Sequence, residues 1–529
     1  MLSLKRSNTT AGKSKSLKAA LAALCFLTAA PAALAGGYLT NTNQSVAFLR
    51  NPARDAAIGI DGIYSNPAGI SFMDQGWHFS LGLQNAHQTR TIKSMYGVSD
   101  GTNTIYPFSL GRGNATDGYK TFKGKAKAPV IPSIDVAWVG KKWNVGFHFG
   151  ITGGGGKCEF NDGIGLFESQ VAMVPIIINQ LQPGVATNYS FDTYMRGRQY
   201  YYGAQLNLGY RVNNKLSLAF GLRGVYASTN YTGYVRNISV GVIPQALGLD
   251  AAAGTQYVPV STLLTSQGMP HLAALGTDRE LDVDQSGWGY TPIIGVDWKS
   301  GRWNLAAKWE FKTRLRLHND TRVNTSGIAE YDDDLTIPAD LPTILSGGVQ
   351  YTALSDSSLR FNVGAHWYHD KAATQYEHRE NLLGGDGFEF LAGTEWDVTK
   401  WATASIGAQY TNYGLGDGAF LSNISFVTDS WSLGLGAKFK INKHMSVNVA
   451  YFKTFYKSKR KDMADYNGLK TTMSNMVTQI ATGSELNATE QAAVAKLAPT
   501  LQQINTAGKD YFDRTNDVFG ISFDFDFDF

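Results

Sequence analysis

The last twelve residues of the chain, 518–529, read VFGISFDFDFDF. Large apolar side chains alternate there with glycine, serine or aspartate, and a β-strand points successive side chains to opposite faces of its sheet. One face of this strand would carry five phenylalanines and an isoleucine, which need either lipid or a second sheet against them. The segment predicts a strand of a membrane-spanning barrel, with a strand of a soluble sheet as the alternative.

The same alternation recurs upstream, in stretches long enough to cross a bilayer at a tilt. The composition agrees, because 57 glycines and 12% aromatic residues exceed ordinary usage and favour strands and turns. We predict an all-β, 14-stranded antiparallel transmembrane barrel. Its predicted strands are Trp77–Thr89, Ile131–Val139, Trp143–Thr152, Arg196–Val212, Leu216–Val235, Gly287–Trp298, Arg302–His318, Leu341–Leu354, Ser358–Asp370, Asp386–Asp397, Trp401–Gly414, Thr428–Ile441, His444–Tyr456 and Arg514–Phe529.

The connections between these strands alternate in length. Each even-numbered strand from the second to the twelfth is followed by a link of two or three residues. The links after the odd-numbered strands are long. Short turns on one side, long loops on the other and an even strand count are typical of a bacterial outer-membrane barrel whose short turns face the periplasm. The short links are 140–142, 213–215, 299–301, 355–357, 398–400 and 442–443.

Tryptophans flank three of the short turns. The pairs are Trp138 with Trp143, Trp298 with Trp303, and Trp396 with Trp401. Each lies on the apolar face of its strand, where an aromatic girdle at the membrane interface is expected. Outside the N-terminal segment no apolar run reaches 18 residues, so the sequence does not predict membrane-spanning helices.

The N-terminal residues 1–35 have the pattern of a secretory signal peptide. A basic stretch precedes the apolar segment Ala19–Ala30, and Ala33-Leu34-Ala35 fits a cleavage site. Five of the 47 basic residues and none of the 43 acidic residues lie in this segment, so the remaining chain is nearly neutral and predicts no nucleic-acid partner.

Residues 36–76 are rich in glycine, alanine and asparagine and contain Asn51-Pro52-Ala53 and Asn66-Pro67-Ala68-Gly69. In this position, ahead of fourteen strands, the second motif resembles the N-terminal plug of the FadL-type long-chain fatty-acid transporters of the outer membrane, hydrocarbon and aromatic transporter relatives included. Further segments similar to that family are 287–290, 340–342, 207–222 and 431–451. The resemblance implies a plug over 36–76, carrying the motif Asn66, Pro67, Ala68 and Gly69, inside a barrel over 77–529.

The resemblance also implies a function: passive uptake of fatty acids or other hydrophobic molecules. Extracellular loops would capture the ligand, a lumenal pocket gated by the plug would hold it, and a kink in the third strand would release it sideways. The third strand is rich in glycine, which weakens strand pairing, although a hinge at the base of the next loop is the alternative. The candidate kink residues are Gly146, Gly150, Gly153 and Gly154.

The long loops are more apolar than loops facing water ought to be. We predict that they form a binding groove, with packing of the loops on one another over the barrel mouth as the alternative. The candidate ligand-binding residues are Met173, Val174, Ile176, Ile177, Ile178, Val242, Ile243 and Leu247. The pattern of the loop over 457–513 predicts a helical hairpin, to which we assign no function.

Alternation in the seventh strand separates lipid-facing from lumenal residues. We predict that Trp303, Leu305, Trp309, Phe311, Leu315 and Leu317 face lipid and that Lys308, Glu310, Lys312, Arg314 and Arg316 face inward. Arg223, Lys308 and Lys312 are candidates for binding a ligand carboxylate. The alternative is that they pair with acids of the plug or of the wall, such as Glu310, Asp297 and Glu395.

No motif of the sequence predicts an enzyme, a metal site or a cofactor. The match to a nucleophile elbow at 97–101 lies in a polar loop with no helix after it. The expected partners are a hydrophobic small molecule, outer-membrane lipid or lipopolysaccharide and, because the chain ends on an aromatic strand like substrates of that system, the barrel assembly machinery; we expect a monomer. A polar-solute porin and an adhesin remain alternative functions.

Overall fold

The computed structural model describes residues 43–111, 113, 115–354, 358–483 and 485–528. The predicted signal peptide, the first residues of the predicted plug, the turn 355–357 and Phe529 lie outside the described residues. The predicted domain boundaries at 35 and 76 stay predictions.

The described residues form fourteen antiparallel barrel strands, as the sequence predicts. The barrel closes because the first strand pairs with the last along their whole length, from Gly76 opposite Asp528 to Tyr96 opposite Gly508. The strands are β1 Gly76–Tyr96, β2 Lys120–Val139, β3 Trp143–Phe160, β4 Ala186–Arg211, β5 Leu216–Val242, β6 Arg279–Ser300, β7 Trp303–Glu310 with Arg316–Asn324, β8 Thr336–Pro338 with Ile344–Thr352, β9 Leu359–Tyr368, β10 Gly387–Asp397, β11 Ala402–Asn412, β12 Ser430–Lys440, β13 Met445–Tyr456 with Lys459–Met463, and β14 Gly508–Asp528.

Helices lie in the plug and the extracellular loops. The α-helices are α1 Val46–Arg50, α2 Gly62–Ser65, α3 Gly165–Ala172, α4 Val174–Leu181, α5 Val260–Ser266, α6 Leu469–Gly483 and α7 Ala488–Gln503. Single 3-10 turns occur at Gly69–Phe72, Pro107–Leu110, Pro244–Leu247, Ala251–Ala253, Leu272–Gly276, Ala329–Tyr331, Asp370–Ala372, Tyr376–Leu382 and Tyr466–Gly468, and short strands at Val98–Ser99, Thr104–Ile105 and Gln256–Pro259. None of the helices described is both long and apolar enough to cross a membrane.

Several strands run further into the extracellular side than the sequence predicts. The third strand was expected to end at Thr152 but continues to Phe160, and the fifth continues from Val235 to Val242. The inward face of the extra length is apolar and packs into the core formed by the loops, through Cys158 and Phe160 in β3 and Ile238, Val240 and Val242 in β5.

The outer surface of the barrel is apolar and edged with aromatic residues. Trp143, Trp303 and Trp401, beside three periplasmic turns, have exposed fractions of 51%, 48% and 58%. Buried polar residues alternate with exposed apolar ones along the same strands, as in β1, where His78, Ser80 and Gln84 face inward. This is the surface of a membrane-spanning barrel of the outer-membrane type, which confirms the predicted location.

The prediction for the outer half of β7 was wrong. Leu315 and Leu317 are fully buried, whereas Arg314 and Arg316 are exposed. The strand is interrupted after Glu310, and its register against β6 shifts by one residue, from Glu310 opposite Ile293 to His318 opposite Ser286. Because side chains alternate with a period of two, a one-residue shift turns every later side chain to the other face.

The described part of the predicted plug, residues 43–75, lies inside the barrel and is held by buried ion pairs. Arg54 Nε lies 2.7 Å from Asp61 Oδ2 within the plug, and Arg54 Nη1 lies 3.1 Å from Glu395 Oε1 in the wall. The same Glu395 oxygen is 2.7 Å from Arg50 Nη1. All four side chains are buried, so each charge depends on its partners.

We expect Glu395→Gln to destabilise the folded barrel strongly. Removing the carboxylate takes from the buried Arg50 its ion-pair partner and leaves Arg54 with Asp61 alone, which costs about 3–5 kcal/mol. The free energy of unfolding would be measured by urea titration of the refolded barrel in detergent.

The matched control is Glu159→Gln. Glu159 forms its ion pair with Lys157 on the barrel surface, and exposed pairs contribute only about 0–1 kcal/mol. Equal losses in the two variants would contradict the assignment of the Glu395 network as the anchor of the plug.

Candidate functional site

The sheet is interrupted between β2 and β3. Ala126 pairs with Cys158 and Ile134 pairs with Phe149, but no residue pair links the described stretches between them. On its other side β3 shifts register against β4 twice, at 151–153 and at 153–156. Gly154 and Gly156 have φ values of 100° and 70°, a backbone region that favours glycine, so the glycine run produces these irregularities.

The sequence of β2 explains the other side of the break. Pro129 and Pro132 have no backbone N–H to donate, so this part of β2 cannot form a complete ladder. The carbonyl of Pro129 instead accepts a hydrogen bond from Asn85 Nδ2 of β1 at 3.0 Å. The two prolines were the available signal; the predicted second strand began at Ile131, after Pro129, and the presence of Pro132 inside it was overlooked.

The first described residues of the plug lie at this break. The backbone carbonyl of Gln44 accepts hydrogen bonds from Gln84 Nε2 of β1 at 2.7 Å and from Ser133 Oγ of β2 at 3.1 Å. The following residues of α1 then cross the lumen toward β12 and β13. A displacement of the plug would therefore change the inner surface of the wall at the break.

A cavity lies beneath the break, between the wall and the start of the plug, with about 700 Å³ of space, part of it open to solvent. Its apolar lining includes Phe48, whose ring is 5.8 Å from that of Phe452. The remaining lining is apolar or amide, apart from two lysines. The residues that complete the lining, besides Phe48 and Phe452, are Asn43, Gln44, Leu49, Gln84, Ala86, Gln88, Ala126, Lys127, Ala128, Ile131, Ile151, Gly154, Gly156, Lys157, Tyr200 and Val518. We refer to this space as the seam cavity.

Two arginines lie one layer above the seam cavity, on the extracellular side. Arg90 of β1 and Arg514 of β14 are direct cross-strand neighbours, and both are buried. Arg514 Nη2 donates to Gln88 Oε1 at 2.7 Å, and Gln88 lines the cavity. Our sequence analysis missed this pair because it ended the first strand at Thr89 and began the last at Arg514, where both strands continue.

The three basic residues predicted to bind a carboxylate are paired with acids of the wall. Glu310 lies 2.7 Å from Arg223 Nη1 and 2.6 Å from Lys308 Nζ, and Lys312 Nζ lies 3.3 Å from Asp340 Oδ2. This is the alternative arrangement considered above. A role of these residues in binding a ligand stays a prediction.

The plug motif packs against the opposite wall. Asn66 Nδ2 donates to Asp297 Oδ2 of β6, and Asn66 Oδ1 accepts from the backbone N–H of Gly69 at 3.2 Å. A Cβ atom on Gly69 would collide with Asn66 Nδ2, so this position has no room for a side chain. Pro67 and Ala68 in turn lie against Gly295 of the same strand.

The apolar loop residues predicted to bind ligand are mostly buried. Met173, Val174, Ile176, Ile177, Ile178 and Val242 belong to a large core above the barrel mouth, Ile243 is half-buried, and Leu247 is exposed. They pack with residues of α6 and α7, the helical hairpin. The loops therefore do not present a continuous apolar surface to water.

A smaller cavity lies at the edge of this loop core, with about 520 Å³ of space, part of it open to solvent. It lies between α4, α7 and the hairpin 98–105, and it includes three of the predicted residues. The lining residues are Val98, Asp100, Asn103, Ile105, Met173, Ile176, Ile177, Gln180, Leu497, Thr500, Leu501 and Ile504. Ligand binding by these residues stays a prediction.

A buried ion pair fixes the loop core to the barrel rim. Glu168 of α3 accepts from Lys120 Nζ at 2.6 Å and from the Tyr189 hydroxyl at 2.7 Å. Burial raises the pKa of the Glu168 carboxyl above its usual value, and the nearby Lys120 ammonium acts in the opposite direction. Glu168 therefore depends on Lys120 to stay charged.

Solved structures share this fold. A Pseudomonas aeruginosa FadL homologue superposes with a TM-score of 0.55 at 14% identity, covering 93% of this chain and all of that chain. A deletion mutant of the TodX monoaromatic hydrocarbon channel gives a TM-score of 0.50 at 14% identity, with 92% of this chain and all of that chain covered. No family model and no curated protein sequence matches the chain. The resemblance predicted from the sequence is confirmed at the level of the fold.

We expect that filling the loop cavity weakens the binding of an apolar probe there. Thr500 is half-buried and lines the cavity, so Thr500→Trp places an indole in the space. Binding of a fluorescent naphthylamine by the purified barrel should weaken by about tenfold, or ~1.4 kcal/mol. The control is Thr482→Trp, at an exposed position of α6 outside the cavity. Unchanged probe affinity in Thr500→Trp would show that this cavity holds no ligand.

Proposed function

We propose that the protein carries hydrophobic or amphipathic molecules passively across the outer membrane, long-chain fatty acids being the leading candidates. The observation that carries this proposal is an apolar cavity placed directly behind an interruption of the barrel wall. A ligand would enter the loop cavity, pass to the seam cavity and leave between β2 and β3 into the lipid. Three of the predicted kink residues, Gly150, Gly153 and Gly154, lie in the stretch of β3 that is unpaired with β2, whereas Gly146 pairs with Ala137 of β2 and Asn207 of β4.

A lateral exit fits the contents of the lumen better than an axial one. Below the seam cavity, the plug and wall are joined by charged and amide groups, including Arg54 with Glu395 and Asn66 with Asp297. His366 Nε2 also lies 2.8 Å from Asp55 of the plug. An apolar molecule moving straight down would have to separate these buried pairs, whereas the route to lipid crosses none of them.

The arginine pair indicates the polarity of the ligand. Arg90 and Arg514 lie at the outer end of the seam cavity, where a carboxylate could accept charge-assisted hydrogen bonds while its alkyl chain occupies the apolar space below. Among the described residues no carboxylate lies within ion-pair distance of Arg514. A neutral hydrocarbon, of the kind for which the TodX monoaromatic hydrocarbon channel is named, would gain nothing from these charges.

Two other functions fit less well. A general porin for polar solutes needs an open lumen, but the plug occupies this one and contacts the wall through buried groups. An adhesin would use the loops alone and would need neither the seam cavity nor the break. Interaction with the assembly machinery during biogenesis and a monomeric state stay predictions.

We expect Ala128→Trp to block transport while the barrel still folds. Ala128 of β2 lines the seam cavity and is half-buried, so a tryptophan can fill the opening without the backbone strain that replacing a glycine would add. A Cβ on Gly150, by comparison, would lie 3.0 Å from His148 Nε2. Uptake of a labelled long-chain fatty acid by cells should fall at least about tenfold, with the folded barrel verified by its heat-dependent mobility.

The control is Ala307→Trp, which places the same side chain on the lipid face of β7, away from the break. Its uptake should match that of the unchanged protein. Normal uptake in a folded Ala128→Trp barrel would rule out exit through the seam and favour an axial route.

A second prediction concerns ligand charge. Arg514→Gln should weaken binding of a fatty acid to the purified barrel by about 1.5–3 kcal/mol, roughly 10- to 150-fold, because a hydrogen bond to a charged group is lost. Binding of the methyl ester of the same acid should hardly change. Equal effects on acid and ester would show that the arginine pair does not hold a carboxylate.

A further inference from the structure

A group of lysines faces outward from β2 just beyond the apolar band. Lys123, Lys125 and Lys127 are exposed and occupy successive outward positions, about 7 Å apart, on the extracellular side of the exposed Val130. Glu159 of β3 pairs with Lys125 across the two strands. Its Oε1, however, forms an ion pair with Lys157 Nζ at 2.7 Å. Within the described residues, none of the three lysines has a carboxylate at ion-pair distance.

This placement is unfavourable unless anions are close by. Three like charges on alternate positions of one strand repel one another, and their partners in β1 are His87, Thr89 and Thr91, none of them acidic. At this height on a membrane-spanning barrel, Asp513 of β14 lies in line with Lys123 two strands away, and the other available counter-charges are the head groups of the outer leaflet.

A second feature lies directly below the lysines, on the lipid face. An open apolar groove of about 940 Å³ runs across β12, β13, β14, β1 and β2. Its outward lining includes Leu83, Val130 and Phe519. On the extracellular side the groove reaches Asn85 of β1, two residues before His87, which pairs with Lys127. The outward lining residues are Leu83, Asn85, Pro129, Val130, Leu435, Val449, Tyr451, Phe519 and Ile521.

We propose that the outer faces of β14, β1 and β2 form a binding site for a phosphorylated lipid of the outer leaflet. The lysines hold its phosphate groups by charge-assisted hydrogen bonds, and the groove holds its acyl chains. The combination of an anionic head and several chains is that of a phosphorylated glycolipid. Because the site adjoins the β2–β3 break, the bound lipid lies beside the opening.

This inference does not depend on the proposed transport. It rests on the exposed charges and the external groove, which lie on the outer face of the barrel; of the three lysines, Lys127 also lines the seam cavity. A barrel of any function could bind such a lipid, and failure of the transport proposal would leave the lipid site intact.

The test is native mass spectrometry of the purified barrel in detergent, titrated with bisphosphorylated lipid A and, separately, with the same lipid after removal of both phosphates. The unchanged protein should retain the phosphorylated form on the order of 100-fold more strongly, since each of the three lysines contributes about fivefold. The triple variant K123Q/K125Q/K127Q should lose this preference.

The control is K141Q/K142Q/K215Q, which removes the same number of exposed lysines from the periplasmic turns and should keep the preference. Val130→Trp, which obstructs the groove, should weaken both lipid forms equally. Inorganic phosphate at millimolar concentration should not displace the lipid, because the groove holds its chains; displacement would show a simple anion site and overturn the proposal.

If the triple variant does not fold, the unchanged protein decides the question. Its preference for the phosphorylated lipid should disappear between about 0.05 and about 0.5 M salt, since salt screens exposed charges. A preference that survives high salt, or a folded triple variant that keeps it, would refute the site.

Discussion

In lipid, every backbone N–H and C=O group must find a partner within the protein, and this requirement governs the whole structure. Fourteen strands meet it by closing, with β14 paired along the full length of β1. The interruption between β2 and β3 is therefore a costly feature that needs local compensation. Two prolines remove N–H groups there, Asn85 binds the carbonyl of Pro129, and Ser133 turns to the plug carbonyl of Gln44.

The second requirement is that the plug fit the lumen closely. Glycines of the wall allow this fit, because a Cβ on Gly407 would lie 2.7 Å from the Cδ of Pro52 and one on Gly295 would lie 3.2 Å from the Cγ of Pro67. The two Asn-Pro-Ala segments thus sit against different glycine-bearing strands. Charged pairs between plug and wall fill the remaining space, so the apolar seam cavity stands out from a polar lumen.

The sequence was sufficient for the fold because the fold depends on alternation and on link length. In each membrane-spanning segment, apolar and polar residues alternate over enough positions to be recognised, as the C-terminal phenylalanines show. The short turns then determine which strands are neighbours. The irregular pairing of β3 lies in the glycine-rich outer half of the strand, and the use of this stretch as an exit stays a prediction.

The sites were less predictable, for two physical reasons. A one-residue bulge in β7 reversed the faces of Leu315 and Arg316, and alternation alone does not reveal a bulge. Which charges pair across the lumen is decided by strands far apart in sequence, such as Arg223 with Glu310 or Arg90 beside Arg514. Apolar loop residues likewise could not be assigned to a core or a groove before their packing was known.

The central claim is that a hydrophobic ligand occupies the seam cavity and leaves beside it through the wall. A crystal structure of the protein with a fatty acid brominated along its chain tests this most directly. Anomalous bromine peaks are expected between Phe48 and Phe452 and, at partial occupancy, between Ala128 and Ile151 at the break. Bromine peaks confined to the periplasmic side of the plug, near Asn66 and Asp297, would contradict it.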